Sequence, residues 1–454
     1  MYFSIDKRIF AANFRIKKMK RKIYDDLVRW KNKPGRMPLI VNGARQVGKS
    51  YILQKFGKQE FDNFITVNLE IDKVLRDKFN ETLAPVAIIQ YLETVHSQRI
   101  IPSKTLVIFD EIQACEAALT SLKYFYEQTP EYHIVAAGSL LGIAVNREKY
   151  SFPVGKVDEM TLFPMDFEEF LWAFGKENIA VLIREHFSSN QPLDVHLFAI
   201  ELYNQYLIIG GMPAAVREFI TTGSFVAVAD IQNRILNEYI ADMAKYAEPS
   251  TSIKIRACYE SIPAQLAKEN RKFQYSVVQK GGSATLFGES IEWLQYAGIV
   301  LKCRKTTHGI MPVKVYVELS DFKLYLSDTG MLTMQSGIAA QAILSPLETS
   351  IPFIGSIAEN YVAQALAANS IPLYYWKNDN TAEVDFVIQK GLDVIPIEVK
   401  AGIRVRSKSL NIFTEKYDCR YAIRISKKNF GFENGVKAVP LYAVFCINNE
   451  KIKL

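Results

Sequence analysis

The sequence predicts an α/β protein. A parallel sheet leads, followed by a helical region, a helix–helix–hairpin unit and a carboxy-terminal α/β unit. Three observations predict this. From about residue 20 to 165, apolar strand-like runs alternate with helix-like segments. A glycine-rich loop, Gly43-Ala44-Arg45-Gln46-Val47-Gly48-Lys49-Ser50, directly follows the first of those runs. From residue 351, a helix is followed by short strands that carry paired acidic and lysine residues. Strands that alternate with helices argue for a parallel sheet covered on both faces.

In chain order, strands are expected at 39–42, 65–70, 106–110, 133–138 and 159–163, with helices between them, for example at 86–97 and 117–128. Residues 166–250 are helix-rich, with apolar positions at helical spacing from Phe167 to Trp172, and Gly210-Gly211-Met212-Pro213 breaks them with a turn. Residues 251–335 give two helices, the run 297–301, and a hairpin through 313–319 and 323–326, the pattern of a winged helix. Many winged helices bind DNA. The lack of a basic recognition helix favours a packing role. The last part gives a helix at 357–368 and strands at 374–377, 383–389, 394–400, 421–426 and 441–446, after a linker at 341–352. The expected units are therefore a basic extension (1–18), a sheet domain (19–165), a helical lid (166–250), a winged-helix-like unit (251–335) and a carboxy-terminal domain (336–454).

The 454 residues suffice for about two to four domains, and 49% apolar with 23% charged is ordinary globular composition. No apolar run reaches bilayer length, and residues 1–8 lack the apolar core of a signal peptide, so a cytoplasmic location is expected. Five scattered cysteines read as reduced thiols, and five histidines without ligand spacing argue against zinc. The net charge of +7 is too mild to establish a nucleic-acid partner. Basic residues concentrate at 15–36 and 400–428. Such runs are usually solvated faces, but the second follows a candidate catalytic strand.

The loop at 43–50 reads G-x-x-x-x-G-K-[ST], the phosphate-binding loop of nucleotide triphosphatases. Glycines let the backbone turn its N–H groups toward a polyphosphate. Lys49 supplies charge to the β and γ phosphates, and Ser50 offers a hydroxyl to Mg²⁺. The helix that starts here aims its positive end at the same anion. ATP or GTP is the expected ligand. The apolar run 105–109 ends in Asp110-Glu111 at the carboxyl edge of the sheet, where ligands sit. Asp110 would hold Mg²⁺, and Glu111 would orient and deprotonate the attacking water. The plainer alternative is a strand end followed by a helix-capping acid. Ser139, after the next strand, would emerge at the same edge.

The 43–50 loop, Phe109-Asp110-Glu111-Ile112-Gln113, and Ala137-Gly138-Ser139-Leu140-Leu141-Gly142 resemble a family of bacterial and archaeal AAA-type ATPases. Its members end in a carboxy-terminal domain of unknown function. Further matches are residues 162–170, 206–213 and Lys323-Leu324-Tyr325-Leu326-Ser327-Asp328-Thr329-Gly330. The resemblance covers nearly the whole chain from Met19 and implies ATP rather than GTP. It expects Gly-Arg where this chain has Gly155-Lys156, which puts an arginine-finger role at Lys156 in doubt; Arg147 is a weaker candidate. Family members often start near Lys20, so residues 1–18 read as an extension or a misassigned start.

Near the carboxyl end, Glu383-Val384-Asp385-Phe386 and Ile397-Glu398-Val399-Lys400 fall on neighbouring strands. Residues two apart in a strand face one way, so Glu398 and Lys400 share a face, with Asp385 opposite across a hairpin at Lys390-Gly391. Two carboxylates and a lysine in this arrangement bind Mg²⁺ and ready a water for phosphodiester attack. The arrangement resembles the PD-(D/E)XK nuclease fold, which implies Glu359 on the preceding helix, Asp385 and Glu398 as ligands of a second Mg²⁺ or Mn²⁺, and Lys400 as catalytic lysine. The alternative is a satisfied salt-bridge cluster on a half-exposed sheet. The combined expectation is an ATPase whose nucleotide state controls a nuclease-like domain acting on DNA or RNA. The other reading is a nucleotide-driven binding switch that cuts nothing. Self-association is left open.

Overall fold

A computed structural model describes residues 19–138, 153, 155–344, 352–378, 382–402 and 408–448. Ser139, Arg147 and residues 1–18 lie outside the described residues.

The amino-terminal sheet contains β1 (Leu39–Asn42), β2 (Asn63–Asn68), β3 (Thr105–Asp110), β4 (His133–Ala137) and β5 (Asp158–Thr161). Their order is β2-β3-β4-β1-β5, and every pairing is parallel. Burial follows position. The three inner strands are buried throughout, whereas edge strands β2 and β5 include less buried positions. Continuous apolar runs suit strands covered on both faces. On one face Leu39, Val41, Leu106, Ile108, Val135 and Ala137 pack with α1 (Ile23–Lys31) and α2 (Lys49–Glu60). On the other, Ile40, Val107, Phe109, Ile134 and Ala136 pack with α3 (Lys73–Glu81), α4 (Pro85–His96) and α5 (Glu116–Gln128). The period-2 alternation of strands sorts the residues between these two layers.

A helical region follows: α6 (Phe167–Ala173), α7 (Glu177–Ser189), α8 (His196–Ile209), α9 (Pro213–Thr222) and α10 (Phe225–Tyr246). Asp166 and Glu169 cap α6 reciprocally. Next come α11 (Pro249–Leu266), the short α12 (Tyr275–Val278) and α13 (Ala284–Tyr296). They lead into a hairpin of β6 (Val300–Thr306) and β7 (Val317–Leu326), then α14 (Thr329–Gln335) and α15 (Ala340–Leu344). This hairpin differs from the expected one. Residues 313–316 form a 3-10 turn, and 317–326 run as one strand against β6, whose register shifts at Arg304/Lys305. The bulge takes up the offset that the sequence suggests as a turn near Ser320.

The carboxy-terminal part holds α16 (Phe353–Ala368), β8 (Tyr374–Lys377), β9 (Glu383–Val384), β10 (Phe386–Lys390), β11 (Asp393–Val399), α17 (Lys408–Tyr417), β12 (Ala422–Ser426), β13 (Gly431–Glu433) and β14 (Val436–Pro440). The strand expected at 383–389 breaks at Asp385. β9 joins the order β7-β6-β8-β9, and β10 opens the order β10-β11-β12-β14-β13. Thus the hairpin ahead of residue 335 shares a sheet with strands beyond it, across the boundary expected at 335/336. Residues 441–446 form a 3-10 helix rather than a strand. All six side chains are buried, the helix packs on α16, α8 and α7, and no half-exposed face remains to favour a pleated strand. No helix among the described residues is long and apolar enough to cross a membrane.

Candidate functional site

The phosphate loop leaves β1, which lies between β4 and the edge strand β5, and enters α2. Gly48, the residue before α2, has φ +96°, a conformation that glycine adopts without steric cost. No side chain caps α2, and its first turn carries no acid. Its leading N–H groups are therefore left for an anion. Lys49 is buried, and its ammonium donates to Gly43 O at 2.8 Å and Ala44 O at 2.9 Å. Burial pulls its pKa down to about 8, against the opposing carboxylates of Glu111 and Asp110. This donor set fits a polyphosphate, which would supply the missing counter-charge.

Strand β3 delivers the acids to the same place. Ser50 Oγ donates to Asp110 Oδ2 at 2.6 Å, so the hydroxyl and carboxylate expected at Mg²⁺ already touch. Glu111 N donates to Asp110 Oδ1 at 3.1 Å. Glu111 has φ +52°, turning the chain sharply out of the strand. The structure thus gathers Lys49, Ser50, Asp110 and Glu111 at the carboxyl edge of the sheet. Lys156 pairs with Glu127 of α5 at 3.1 Å on a half-exposed surface.

Several residues not singled out above also serve this site. Arg21 lies beneath the loop and donates to Val47 O at 2.8 Å, Phe163 O at 2.5 Å and Glu169 at 3.0 Å. Lys22 pairs with Asp166 and with Glu168 at 2.6 Å. Burial alone would lower its pKa, but Asp166, Glu168 and Glu169 hold it above the ordinary value. For these two residues the expected solvated face is an internal ion network. Above the loop, α10 contributes Asp242 to Arg45, Glu238 to Gln46, and the Tyr239 hydroxyl to Arg45 O at 3.3 Å. Burial raises the Asp242 carboxyl, with Arg45 opposing. Gln113, on a 3-10 turn just past Glu111, donates its amide to the Glu111 carboxylate. Its place two residues after Glu111 is the signal the sequence offers. The partners Arg21 and Lys22, just ahead of α1, and those from α10 are too distant in sequence for any local signal.

In the carboxy-terminal part, Lys400 lies 2.5 Å from Glu398, and Asp385 Oδ2 accepts from Val399 N at 2.8 Å. Asp385, at the strand break, thus holds the backbone of the residue between Glu398 and Lys400. Glu359 is engaged elsewhere. It accepts from Lys323 at 3.1 Å, from Tyr325 at 2.5 Å and from Arg271. Its carboxylate is thus held by donors from β7 and from the segment between α11 and α12. Among the described residues, no three His, Cys, Asp or Glu side chains gather as a metal site.

Residues 35–171 match an AAA domain family, residues 200–342 the domain of unknown function DUF8612, and residues 354–444 the domain of unknown function DUF4143. A comparison with curated proteins gives no match. Among solved structures, a Walker-type ATPase of Pyrococcus abyssi is similar at 14% identity and TM-score 0.44, over 71% of this chain and 97% of that one. The Aeropyrum pernix ORC2 protein in its ADP form is similar at 12% identity and TM-score 0.32, over 79% and 99%. The ORC1 protein of the same organism, in complex with DNA, is similar at 10% identity and TM-score 0.30, over 70% and 91%. Residues 35–171 of this chain form an AAA-type P-loop ATPase domain.

Proposed function

We propose that the chain binds ATP with Mg²⁺ at the loop of residues 43–50 and hydrolyses it. The single observation behind this is the meeting of Lys49, Ser50, Asp110 and Glu111 at one sheet edge. The uncapped amides of α2 and the Lys49 ammonium hold the phosphates. Ser50 and Asp110 hold the metal, which when bound offsets negative charge on the phosphates. Glu111 orients a water and takes its proton. The test is ATP turnover with Mg²⁺ in wild type, Lys49→Ala and Glu111→Gln. Lys49→Ala is expected to lose nucleotide binding, and Glu111→Gln to keep binding and lose turnover. Undiminished turnover in both variants would refute the assignment.

A finer proposal concerns the carboxy-terminal part. The order α16, β8, β9/β10, β11, α17, β12, with β12 parallel to β11, supports a nuclease-like domain that acts on nucleic acid. Asp385 and Glu398 are the metal-ligand candidates, and Lys400 is the candidate catalytic lysine. The helices α11 to α13 followed by the β6–β7 hairpin support a winged-helix-like unit in a packing role. Control by nucleotide is supported by Gly298. A Cβ there would lie 2.9 Å from Ala44 N, and β6 starts two residues later. The phosphate loop therefore abuts the entry to the sheet that leads to Asp385. A binding module without cleavage is the second reading, favoured by the engagement of Glu359. Cleavage of single- and double-stranded DNA and of RNA, with and without ATP, separates the two. Loss of cleavage in Glu398→Ala and Lys400→Ala supports the nuclease. ATP-dependent binding with no cleavage by any version supports the module.

A further inference from the structure

We propose that Gln113 is a positioning residue that fixes the Glu111 carboxylate for ATP hydrolysis, an inference that rests on Glu111 as the base. Gln113 is 8% exposed and sits in a single 3-10 turn that begins directly after Glu111. Bonds from Ala114 N to Glu111 O (2.9 Å) and from Cys115 N to Ile112 O (3.1 Å) close that turn. The turn folds the Gln113 side chain back on the residue two before it, and Nε2 donates to Glu111 Oε2. The opposite amide orientation would set oxygen against oxygen, so the carboxylate selects the donor end.

The other end of the amide is the informative one. Oε1 is buried and has no hydrogen-bond partner among the described residues. A buried acceptor without a donor is costly, and such groups mark places where another demand has prevailed. Here that demand is the carboxylate on the far side of the amide. Gly138, at the end of the neighbouring strand β4, makes the placement feasible. A Cβ at Gly138 would lie 2.1 Å from Gln113 Oε1 and 3.2 Å from the Ile112 side chain. The amide is therefore wedged between the ends of two adjacent strands, with one face open only because residue 138 has no side chain.

A glutamate has three rotatable side-chain bonds, and productive proton abstraction requires one of its conformers. Glu111 leaves the strand with φ +52°, and its position near Lys49 is reflected in the Lys49 electrostatics. Without Gln113 the carboxylate is free to rotate toward Lys49 or outward. Nucleotide affinity does not depend on that conformer, but the chemical step does. The expected signature is a loss in kcat with binding preserved.

The test uses the full chain: steady-state ATP hydrolysis with Mg²⁺, affinity for a fluorescent ATP analogue, and thermal unfolding, for wild type, Gln113→Leu, Gln113→Glu and Glu111→Gln. Gln113→Leu is expected to lose about tenfold to a hundredfold in kcat, as loss of a charge-assisted hydrogen bond would. KM and analogue affinity should stay within about twofold. Gln113→Glu keeps the shape, places like charge against Glu111 and should lose at least as much. If Gln113→Leu fails to fold, Gln113→Glu is judged by the same split. A wild-type kcat in either Gln113 variant, with Glu111→Gln inactive, overturns the positioning role and leaves Glu111 as base. Parallel losses of affinity and kcat overturn it as well, since they report a collapsed pocket. Full activity in Glu111→Gln overturns the role of Glu111, and the inference with it.

Discussion

Replacement of Lys323 tests how the middle and carboxy-terminal parts are joined. Its side chain is 1% exposed, and its ammonium lies 3.1 Å from Glu359 on α16 and 2.7 Å from Glu383 on β9. Lys323→Met keeps most of the volume and removes the charge. Loss of one member of a buried ion pair costs about 3–5 kcal/mol, because the remaining charge stays out of water. Two contacts soften the loss here. Glu359 retains Arg271, and Glu383 retains Lys377 at 3.2 Å with a quarter of its side chain exposed. The lower end, about 3 kcal/mol, is therefore expected. Burial pushes the Glu383 carboxyl up, but Lys323 and Lys377 bring it below the ordinary value. A lowered folded-state pKa contributes stability above the unfolded carboxylate value that is lost as pH falls through the folded one, and Lys323→Met should shrink that contribution. Native-state hydrogen exchange is the assay. About 3 kcal/mol corresponds to roughly a hundredfold faster opening of β7, β8 and α16. The double variant Lys323→Met/Glu359→Gln should recover part of the loss, since it removes the stranded charge. Exchange in Lys323→Met within about threefold of wild type would refute the idea of a buried network holding these elements together.

Other outcomes follow from the same geometry. Phosphate binding must raise the Lys49 pKa from about 8, so the complex retains a proton that the free protein loses. ATP affinity should then weaken by up to about tenfold per pH unit above 8, and calorimetry at pH 7, 8 and 9 showing no change would count against it. Gly298→Ala combines a φ of +70° with a contact on Ala44 N, and should both destabilise the protein by about 1–2 kcal/mol and weaken ATP binding. Gly223→Ala, with φ +64° and open space around it, should show the strain without the affinity loss, and equal ATP affinities in the two variants would argue against contact with the loop. Lys437 is fully buried at the end of α7, donating to Phe187 O at 2.7 Å and Asn190 at 2.6 Å. Burial pulls its pKa down to about 8. The unfolded chain then binds more protons between about 8 and 10.4, so stability should rise across that window by up to about 3 kcal/mol. Lys437→Met should flatten the slope in urea titrations, and an unchanged slope would contradict this origin.

How much of this was legible in the chain depends on the range of each interaction. The loop at 43–50 and the pair Asp110-Glu111 are local, and β1, β3 and β4 are continuous apolar runs that central parallel strands require. Residues 441–446 form an equally apolar run, and periodicity does not separate a strand from another buried element of that length. Only packing on α16 and α8 decides between them. Arg21 and Lys22 read as solvent-facing because their partners Asp166, Glu168 and Glu169 lie about 145 residues on. Lys323, from the β6–β7 hairpin, ties Glu359 on α16 to Glu383 on β9, pairings that no local pattern announces. Arg21, Lys22 and Lys323 are thus charged residues whose partners belong to another unit, and those partners join the units. Arg45 with Asp242 links the loop to α10, Gly298 abuts it just ahead of β6, and Lys323 joins β7 to α16. Electrostatic ties of this kind are where a change of charge at the phosphate loop would be felt first, since an arriving polyphosphate alters the field at Arg45 and Lys49 before it moves any apolar contact.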